Sequence, residues 1–116
     1  MNFDKAVTAH SSWKAKLRAY LAKPDGSISQ AEVQSDQKCE LGQWIYGEGK
    51  KWSTSPAYAT LKEQHTRFHA AAGSIIQKID AKMPINEENA VGSKSEFFRF
   101  SMAVINAITN MKKETV

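Results

Sequence analysis

The sequence predicts an all-α fold, a four-helix bundle with short additional helical turns, and three observations lead to it. Apolar residues recur at helical spacing in four stretches, at 3–22, 37–46, 56–83 and from 86 onwards. Residues that favour helix starts and stops stand at the ends of these stretches. No stretch alternates apolar and polar residues as a half-buried strand does. A length of 116 residues, 41% of them hydrophobic, indicates a single domain over residues 1–116.

The first predicted helix covers residues 3 to about 22. Its apolar side is Phe3, Val7, His10, Leu17 and Leu21, with Trp13 and Tyr20 beside it. His10 therefore lies on the apolar side rather than among the lysines of this segment. The sequence Lys23-Pro24-Asp25-Gly26 ends the helix.

Two short helical elements are expected next. Ser29-Gln30-Ala31-Glu32 has the form of a capping box, which starts one turn. Ser35 or Asp36 can cap a second short helix that ends near residue 46. If Asp36 is the cap, Cys39 falls in the first turn, where the helix N-terminus favours the thiolate that binds metals.

The longest predicted helix begins at Ser55, a favourable N-cap, with Pro56 at the first helical position, and runs to about Met83. Its inner side is predicted to be Tyr58, Leu61, His65, Phe68, His69, Ala72, Ile75, Ile76 and Ile79. His65 and His69 are four residues apart, which puts both imidazoles on one face. Such a pair can bind one metal ion, and the alternative is two core histidines that hydrogen-bond to other side chains.

Asn86 is predicted to cap the last helix, where Glu87 and Glu88 complement the helix dipole. Its apolar residues are Val91, Phe97, Phe98, Met102, Val104, Ile105, Ile108 and Met111. They cover more than half of the helix circumference, and a single bundle core needs a narrower stripe. We therefore expect a second contact, most simply a homodimer, with a central helix covered by its own neighbours as the alternative.

Composition argues against several classes of protein. The net charge is +4, but in the densest basic group Lys16 points away from Lys14 and Arg18, so we expect no nucleic-acid partner. No apolar run approaches the roughly 20 residues of a membrane span. The N-terminus lacks the apolar core of a signal peptide, so we expect a cytoplasmic protein. We also expect no enzyme and no catalytic residues, because there is no nucleophile–base pair, no glycine-rich phosphate loop and no workable carboxylate pair.

All three histidines and the only cysteine fall on predicted apolar helix faces. These four residues are His10, Cys39, His65 and His69. Three imidazoles and one thiolate form a mixed nitrogen and sulfur ligand set that suits tetrahedral Zn²⁺. A bundle core is a common host for such a site.

Three sequence elements resemble the chemoreceptor zinc-binding (CZB) domain family. They are His10-Ser11-Ser12-Trp13, Cys39-Glu40-Leu41-Gly42-Gln43-Trp44 and His65-Thr66-Arg67-Phe68-His69, and the family shows H-x-x-W, C-x-x-G-x-W and H-x-x-x-H in this order. The resemblance covers roughly residues 7–80. It implies zinc held by His10, Cys39, His65 and His69 in a homodimeric, cytoplasmic sensory module.

In that family, zinc or oxidation of the ligand cysteine alters the output of an attached chemoreceptor or diguanylate cyclase. The 116 residues show no such signalling domain, so the resemblance is compatible with a free-standing member or with a fragment.

The working hypothesis is a switch, in which hypochlorous acid or peroxide oxidises Cys39 and weakens its bond to zinc. Zinc-level sensing is a close variant of this hypothesis. The alternative is a structural, zinc-stabilised interaction bundle without a sensing role. A metal-free bundle and a di-iron bundle of the haemerythrin type are further alternatives, although the latter needs more histidines and bridging carboxylates than this chain offers.

Overall fold

The computed structural model describes residues 1–115, and within them it is all-α, without a β-strand. The helices are α1 (Phe3–Ser11), α2 (Trp13–Ala22), α3 (Gln30–Gln34), α4 (Glu40–Tyr46), α5 (Pro56–Asp80), α6 (Glu87–Val91) and α7 (Glu96–Thr115), with a 3₁₀ helix at Glu48–Trp52. The two long helices are α5 and α7, and α1 and α2 together occupy residues 3–22. The helix predicted at 37–46 is the seven-residue α4. No helix among residues 1–115 combines the length and apolar character that a bilayer crossing requires.

Helix α5 is central and packs against α7 and α3, with α2 and α4 also in contact. Its 25 residues extend about 37 Å at 1.5 Å per residue. The longest dimension of the molecule is 43 Å, so α5 spans most of it. All nine residues predicted for its inner side are buried, which confirms the predicted face.

Both ends of α5 follow local rules. The Ser55 side chain accepts a hydrogen bond from the Ala57 N–H, and Pro56 occupies the first position, as predicted. The helix ends at Asp80, before the predicted Met83, because Lys82 takes a left-handed conformation with φ of 59°.

The predicted N-terminal helix is interrupted at Ser12. The Ser12 hydroxyl donates to the Ala9 carbonyl at 2.8 Å, a local bond that competes with regular helix bonding. Helix α1 packs against α7, whereas α2 packs against α5 and α6. The buried residues on the two helices are Phe3, Ala6, His10, Leu17 and Tyr20.

The predicted C-terminal helix is also divided. Asn86 caps α6, as predicted, and its side chain accepts from the Asn89 N–H at 3.2 Å. Ser95 then starts α7, because its hydroxyl oxygen accepts from the Phe98 N–H at 3.1 Å. Helix α7 buries Phe97, Val104, Ala107, Ile108 and Met111.

Part of the α7 apolar surface is not covered by other residues of the described range 1–115. Phe98 and Ile105 are half-buried, and Met102 is 45% exposed. These residues are spaced by four and three positions, so they form one stripe along the helix.

Candidate metal centre

Helix α5 contributes two imidazoles to a buried cluster. His65 is 0% exposed and His69 is 4% exposed. Their Nε2 atoms lie 3.0 Å apart, because one helical turn places the rings side by side. The sequence predicted this pair, and the structure places it in the interior of the all-α fold.

Helix α1 and the start of α4 complete the cluster. The Nε2 atom of His10 is 3.2 Å from that of His65. The Sγ atom of Cys39 lies 3.8, 3.2 and 3.6 Å from the Nε2 atoms of His10, His65 and His69, respectively. The structure thus brings together all four residues predicted as metal ligands.

Five of the six separations among these atoms are close to the edges of one coordination tetrahedron, and all four donor atoms lie within 4.8 Å of one another. Zinc bonds of about 2.05 Å to nitrogen and about 2.3 Å to sulfur imply edges of about 3.3 Å between nitrogens and about 3.6 Å from nitrogen to sulfur. The nitrogen–nitrogen separations of 3.0 and 3.2 Å and the sulfur–nitrogen separations of 3.2 to 3.8 Å lie close to these values. The four donors therefore fit a single tetrahedral ion.

Backbone carbonyls orient two of the three imidazoles. The Nδ1 of His10 donates to the Ala6 carbonyl at 2.8 Å, and the Nδ1 of His69 donates to the Val33 carbonyl at 2.8 Å. A proton on Nδ1 leaves the lone pair of Nε2 free toward the centre of the cluster. The Nδ1 of His65 has no partner among the described residues. The sequence gives no signal for these acceptors, because every residue carries a backbone carbonyl.

Burial keeps the imidazoles neutral, which is the form that binds metals. It lowers the pKa of His10 to about 4 and that of His65 to about 2, and it also lowers the pKa of His69. Electrostatic repulsion from His69 contributes to the shifts of both His10 and His65. At neutral pH, none of the three imidazoles has to lose a proton before it binds a metal.

The position of Cys39 differs from the sequence prediction. Cys39 is itself the N-cap of α4, and its Sγ accepts from the Gly42 N–H at 3.4 Å, whereas Asp36 lies before the helix. Burial raises the pKa of the metal-free Cys39 thiol, although the hydrogen bond from Gly42 opposes the shift. The predicted preference for the thiolate is therefore wrong for the metal-free site, because desolvation outweighs the helix N-terminus. A bound metal ion would reverse that balance.

Gly42 is required by close packing at this corner. A Cβ atom on Gly42 would lie 1.8 Å from the carbonyl oxygen of Asp36. The glycine of the C-x-x-G-x-W element thus lets the segment before Cys39 lie directly against α4. Trp44 of the same element is buried and packs edge-on against Phe3, with ring centroids 5.2 Å apart.

An open groove of about 950 Å³ runs between α2 and α3 and reaches Cys39 and His69. Trp13 lines this groove, and Lys16 and Lys38 do so as well. Cys39 is half-buried, in contrast to the three buried histidines. Cys39 and His69 are thus the two members of the cluster that line the groove, and Cys39 is the more exposed of the two residues.

The chain was compared with known proteins by family model, by sequence and by structure. The family model described as the chemoreceptor zinc-binding domain matches residues 10–76. This range begins at His10 and includes the other three donors of the cluster. No curated protein and no solved structure gave a match.

Proposed function

The chain belongs to the chemoreceptor zinc-binding domain family, and on that premise we propose that it binds one Zn²⁺ ion and acts as a regulatory, sensory module of bacterial signalling. The ligands are His10, Cys39, His65 and His69. The observation that carries the proposal is the convergence of three Nε2 atoms and one Sγ atom at tetrahedral separations.

Four protein donors fill the coordination of zinc and leave no open position for a substrate or a water molecule. The proposal therefore assigns no catalytic activity. Bound zinc supplies a fixed, redox-inert link between α1, the start of α4 and α5. Burial holds His10 and His65 in place, and the carbonyls of Ala6 and Val33 aim two of the three imidazoles.

Cys39 is the redox-sensitive part of the proposed module. Its thiolate attacks hypochlorous acid to give a sulfenic acid and chloride, or attacks hydrogen peroxide to give a sulfenic acid and hydroxide. The sulfur loses two electrons in either reaction and becomes a poorer ligand. The start of α4 can then separate from α5, and a neighbouring helix, subunit or signalling domain responds to the movement. The groove that reaches Cys39 supports this assignment.

A structural zinc clamp is the second candidate function. It is favoured by the position of the cluster, which joins three separate segments of the chain near the centre of the fold. In this alternative, zinc stabilises an interaction bundle and its occupancy does not change during signalling. A sensor of the zinc level itself is a third form of the proposal, and it requires a zinc affinity close to the free zinc concentration of the cell.

We further propose that the module acts as a cytoplasmic homodimer and controls a chemoreceptor or diguanylate cyclase type of partner. The stripe formed by Phe98, Met102 and Ile105 on α7 supports a contact of this kind, since it is incompletely covered within the chain. Light scattering of the wild type and of Ile105→Asp tests the dimer. A monomeric wild-type protein would contradict it.

Metal content and zinc release test the function. We expect one zinc per chain, released by equimolar hypochlorous acid and bound again after reduction by a thiol. Cys39→Ser serves as the control and should bind zinc more weakly and lose the response to oxidant. Zinc that stays bound after oxidation of Cys39 would contradict the redox switch and would favour the structural clamp. A folded wild-type protein that binds no zinc would contradict the ligand assignment.

A further inference from the structure

The segment that carries Cys39 has little regular structure of its own. It runs from Ser35 to Cys39 between α3 and α4, and the backbone at both Ser35 and Cys39 is extended. The three histidines, in contrast, stand on α1 and α5. The position of Cys39 Sγ therefore depends on contacts that hold this segment against the helices.

One carboxylate supplies such contacts on two sides. The Oδ2 atom of Asp36 accepts from the Tyr46 hydroxyl at 2.6 Å and from the Thr66 hydroxyl at 2.5 Å. The Thr66 hydroxyl also lies 2.9 Å from the Lys62 carbonyl, but its single proton favours the closer and charged acceptor.

These partners belong to elements that carry metal ligands. Tyr46 is the last residue of α4, the helix that Cys39 starts, and Thr66 follows His65 on α5. Asp36 itself precedes Cys39 by three positions. Its side chain thus joins the Cys39 segment to the far end of α4 and to the histidine helix.

We propose that Asp36 is a positioning residue for the metal centre, whose carboxylate keeps Cys39 Sγ within ligating distance of the three imidazoles. This inference rests on the proposed zinc-binding function and specifies what regulates the sulfur ligand. The tether does not pass through Sγ, so oxidation of the sulfur does not itself break it, and the start of α4 separates from α5 only when the hydrogen bonds of Asp36 open as well. The tether formed by Asp36 therefore controls how readily zinc is released after oxidation. It also controls how readily Cys39 returns to the three imidazoles after reduction.

The surroundings of Asp36 favour such a tether. Asp36 and Tyr46 are half-buried, so their hydrogen bond is less exposed to water than one on an open surface. The backbone of Asp36 is also fixed, since its carbonyl packs directly against Gly42. Both the main chain and the side chain of this residue are thus held against the start of α4 and against α5.

Charge provides a second, independent contribution. Three neutral imidazoles and one thiolate around Zn²⁺ leave one net positive charge. Asp36 is close enough for its negative charge to act on two of the ligands: it adds to the increase that burial causes in the pKa of Cys39, and it opposes the decrease that burial causes in the pKa of His69. The carboxylate therefore also offsets the charge of the loaded site.

A neighbouring carboxylate offers a matched control. Glu40 follows Cys39 directly and pairs with Lys5 at 3.6 Å, with both side chains about 70% exposed. A surface ion pair of this kind contributes little, and removal of Glu40 changes the same formal charge near Cys39 without breaking a link to α5.

The experiment compares the full chain with Asp36→Asn, Thr66→Val and Glu40→Gln. Zinc affinity is measured by competition with a chromophoric chelator, and Co²⁺ absorption reports the cobalt–thiolate bond. We expect Asp36→Asn to weaken zinc binding by about 10–100-fold and to reduce the thiolate band. Thr66→Val should give a smaller loss in the same direction, and it keeps the shape of the side chain in case Asp36→Asn folds poorly. Glu40→Gln should stay within about twofold of the wild type.

A second measurement needs no metal. In the zinc-free proteins, Asp36→Asn should speed the reaction of Cys39 with a thiol reagent, because the segment separates from α5 more often. Wild-type protein without zinc affinity would overturn the proposed function, while this reaction would still test the tether. If Asp36→Asn has the same zinc affinity and the same thiol reactivity as the wild type, the role of Asp36 is overturned and the proposed zinc-binding function is not affected. The role of Asp36 is also overturned if Asp36→Asn lowers the unfolding temperature but leaves the zinc affinity and the cobalt spectrum unchanged.

Discussion

Acidification from pH 7 to pH 5 should destabilise the metal-free protein because every histidine of the chain is buried in the cluster. Burial lowers the pKa of His10 to about 4 and that of His65 to about 2 in the folded state. In the unfolded chain, both return to about 6.5. Between these values the unfolded chain binds more protons, so the free energy of unfolding falls as the pH falls.

The pKa of His10 sets the magnitude. The pKa of His10 is about 4 in the folded state and about 6.5 in the unfolded chain. By linkage, this difference makes the free energy of unfolding about 2 kcal/mol lower at pH 5 than at pH 7. His65 decreases the free energy of unfolding by a similar amount over the same pH range. The sum of about 4 kcal/mol for the two histidines is an upper bound, because adjacent imidazoles titrate as a coupled pair. The loss is fully developed for His10 only below pH 4.

Urea unfolding of the chelator-treated protein at pH 7, 6 and 5 measures this loss. His10→Gln is the matched variant, since it keeps a polar side chain that does not titrate. Between pH 7 and pH 5, the free energy of unfolding of His10→Gln should fall by about 2 kcal/mol less than that of the wild type. Equal unfolding free energies of the wild type at pH 7 and pH 5 would refute the reasoning. So would imidazole NMR resonances that titrate near pH 6.5 in the folded, metal-free protein.

Three further substitutions test the packing around the centre. Gly42→Ala should lower the free energy of unfolding by about 1–3 kcal/mol and weaken zinc binding, because its Cβ would meet the Asp36 carbonyl at 1.8 Å; unchanged urea unfolding would contradict the close approach. Gly73→Ala should lower the free energy of unfolding by up to about 2 kcal/mol and weaken zinc binding, because its Cβ would lie 2.7 Å from Gln34 Cβ and 3.0 Å from Gln34 Cα, so that α3 has to move, while better helix propensity offsets about 1 kcal/mol; unchanged thermal melts and chelator competition would contradict the close approach. Phe68→Ala, at a fully buried position, should cost about 3–5 kcal/mol in urea unfolding, and a loss below about 1 kcal/mol would contradict its place in the core.

The sequence was sufficient where local rules decide the structure. Helical periodicity predicted the inner face of α5, and capping preferences located Ser29, Ser55 and Asn86 as helix starts. The candidate ligands were identifiable for a similar reason, since few side chains bind zinc and all three histidines and the only cysteine of the chain lie at such inward positions.

Local rules were insufficient where two interactions compete. The first and last predicted helices are interrupted near Ser12 and between Gly92 and Ser95, where serine hydroxyls bond to the backbone. Cys39, and not Asp36, caps α4, which leaves the Asp36 carboxylate free to bond to Tyr46 and Thr66. Periodicity alone could not rank these possibilities, because each depends on small differences between nearby hydrogen bonds.

The sequence by itself determined the all-α class, the faces of the long helices and the identity of the four candidate ligands, since each follows from residue type and spacing along the chain. Only the tertiary structure decided that the four donors meet at tetrahedral separations and that the carbonyls of Ala6 and Val33 orient His10 and His69. The reason is physical. These features depend on distances between residues far apart in the sequence and on backbone atoms that every residue shares.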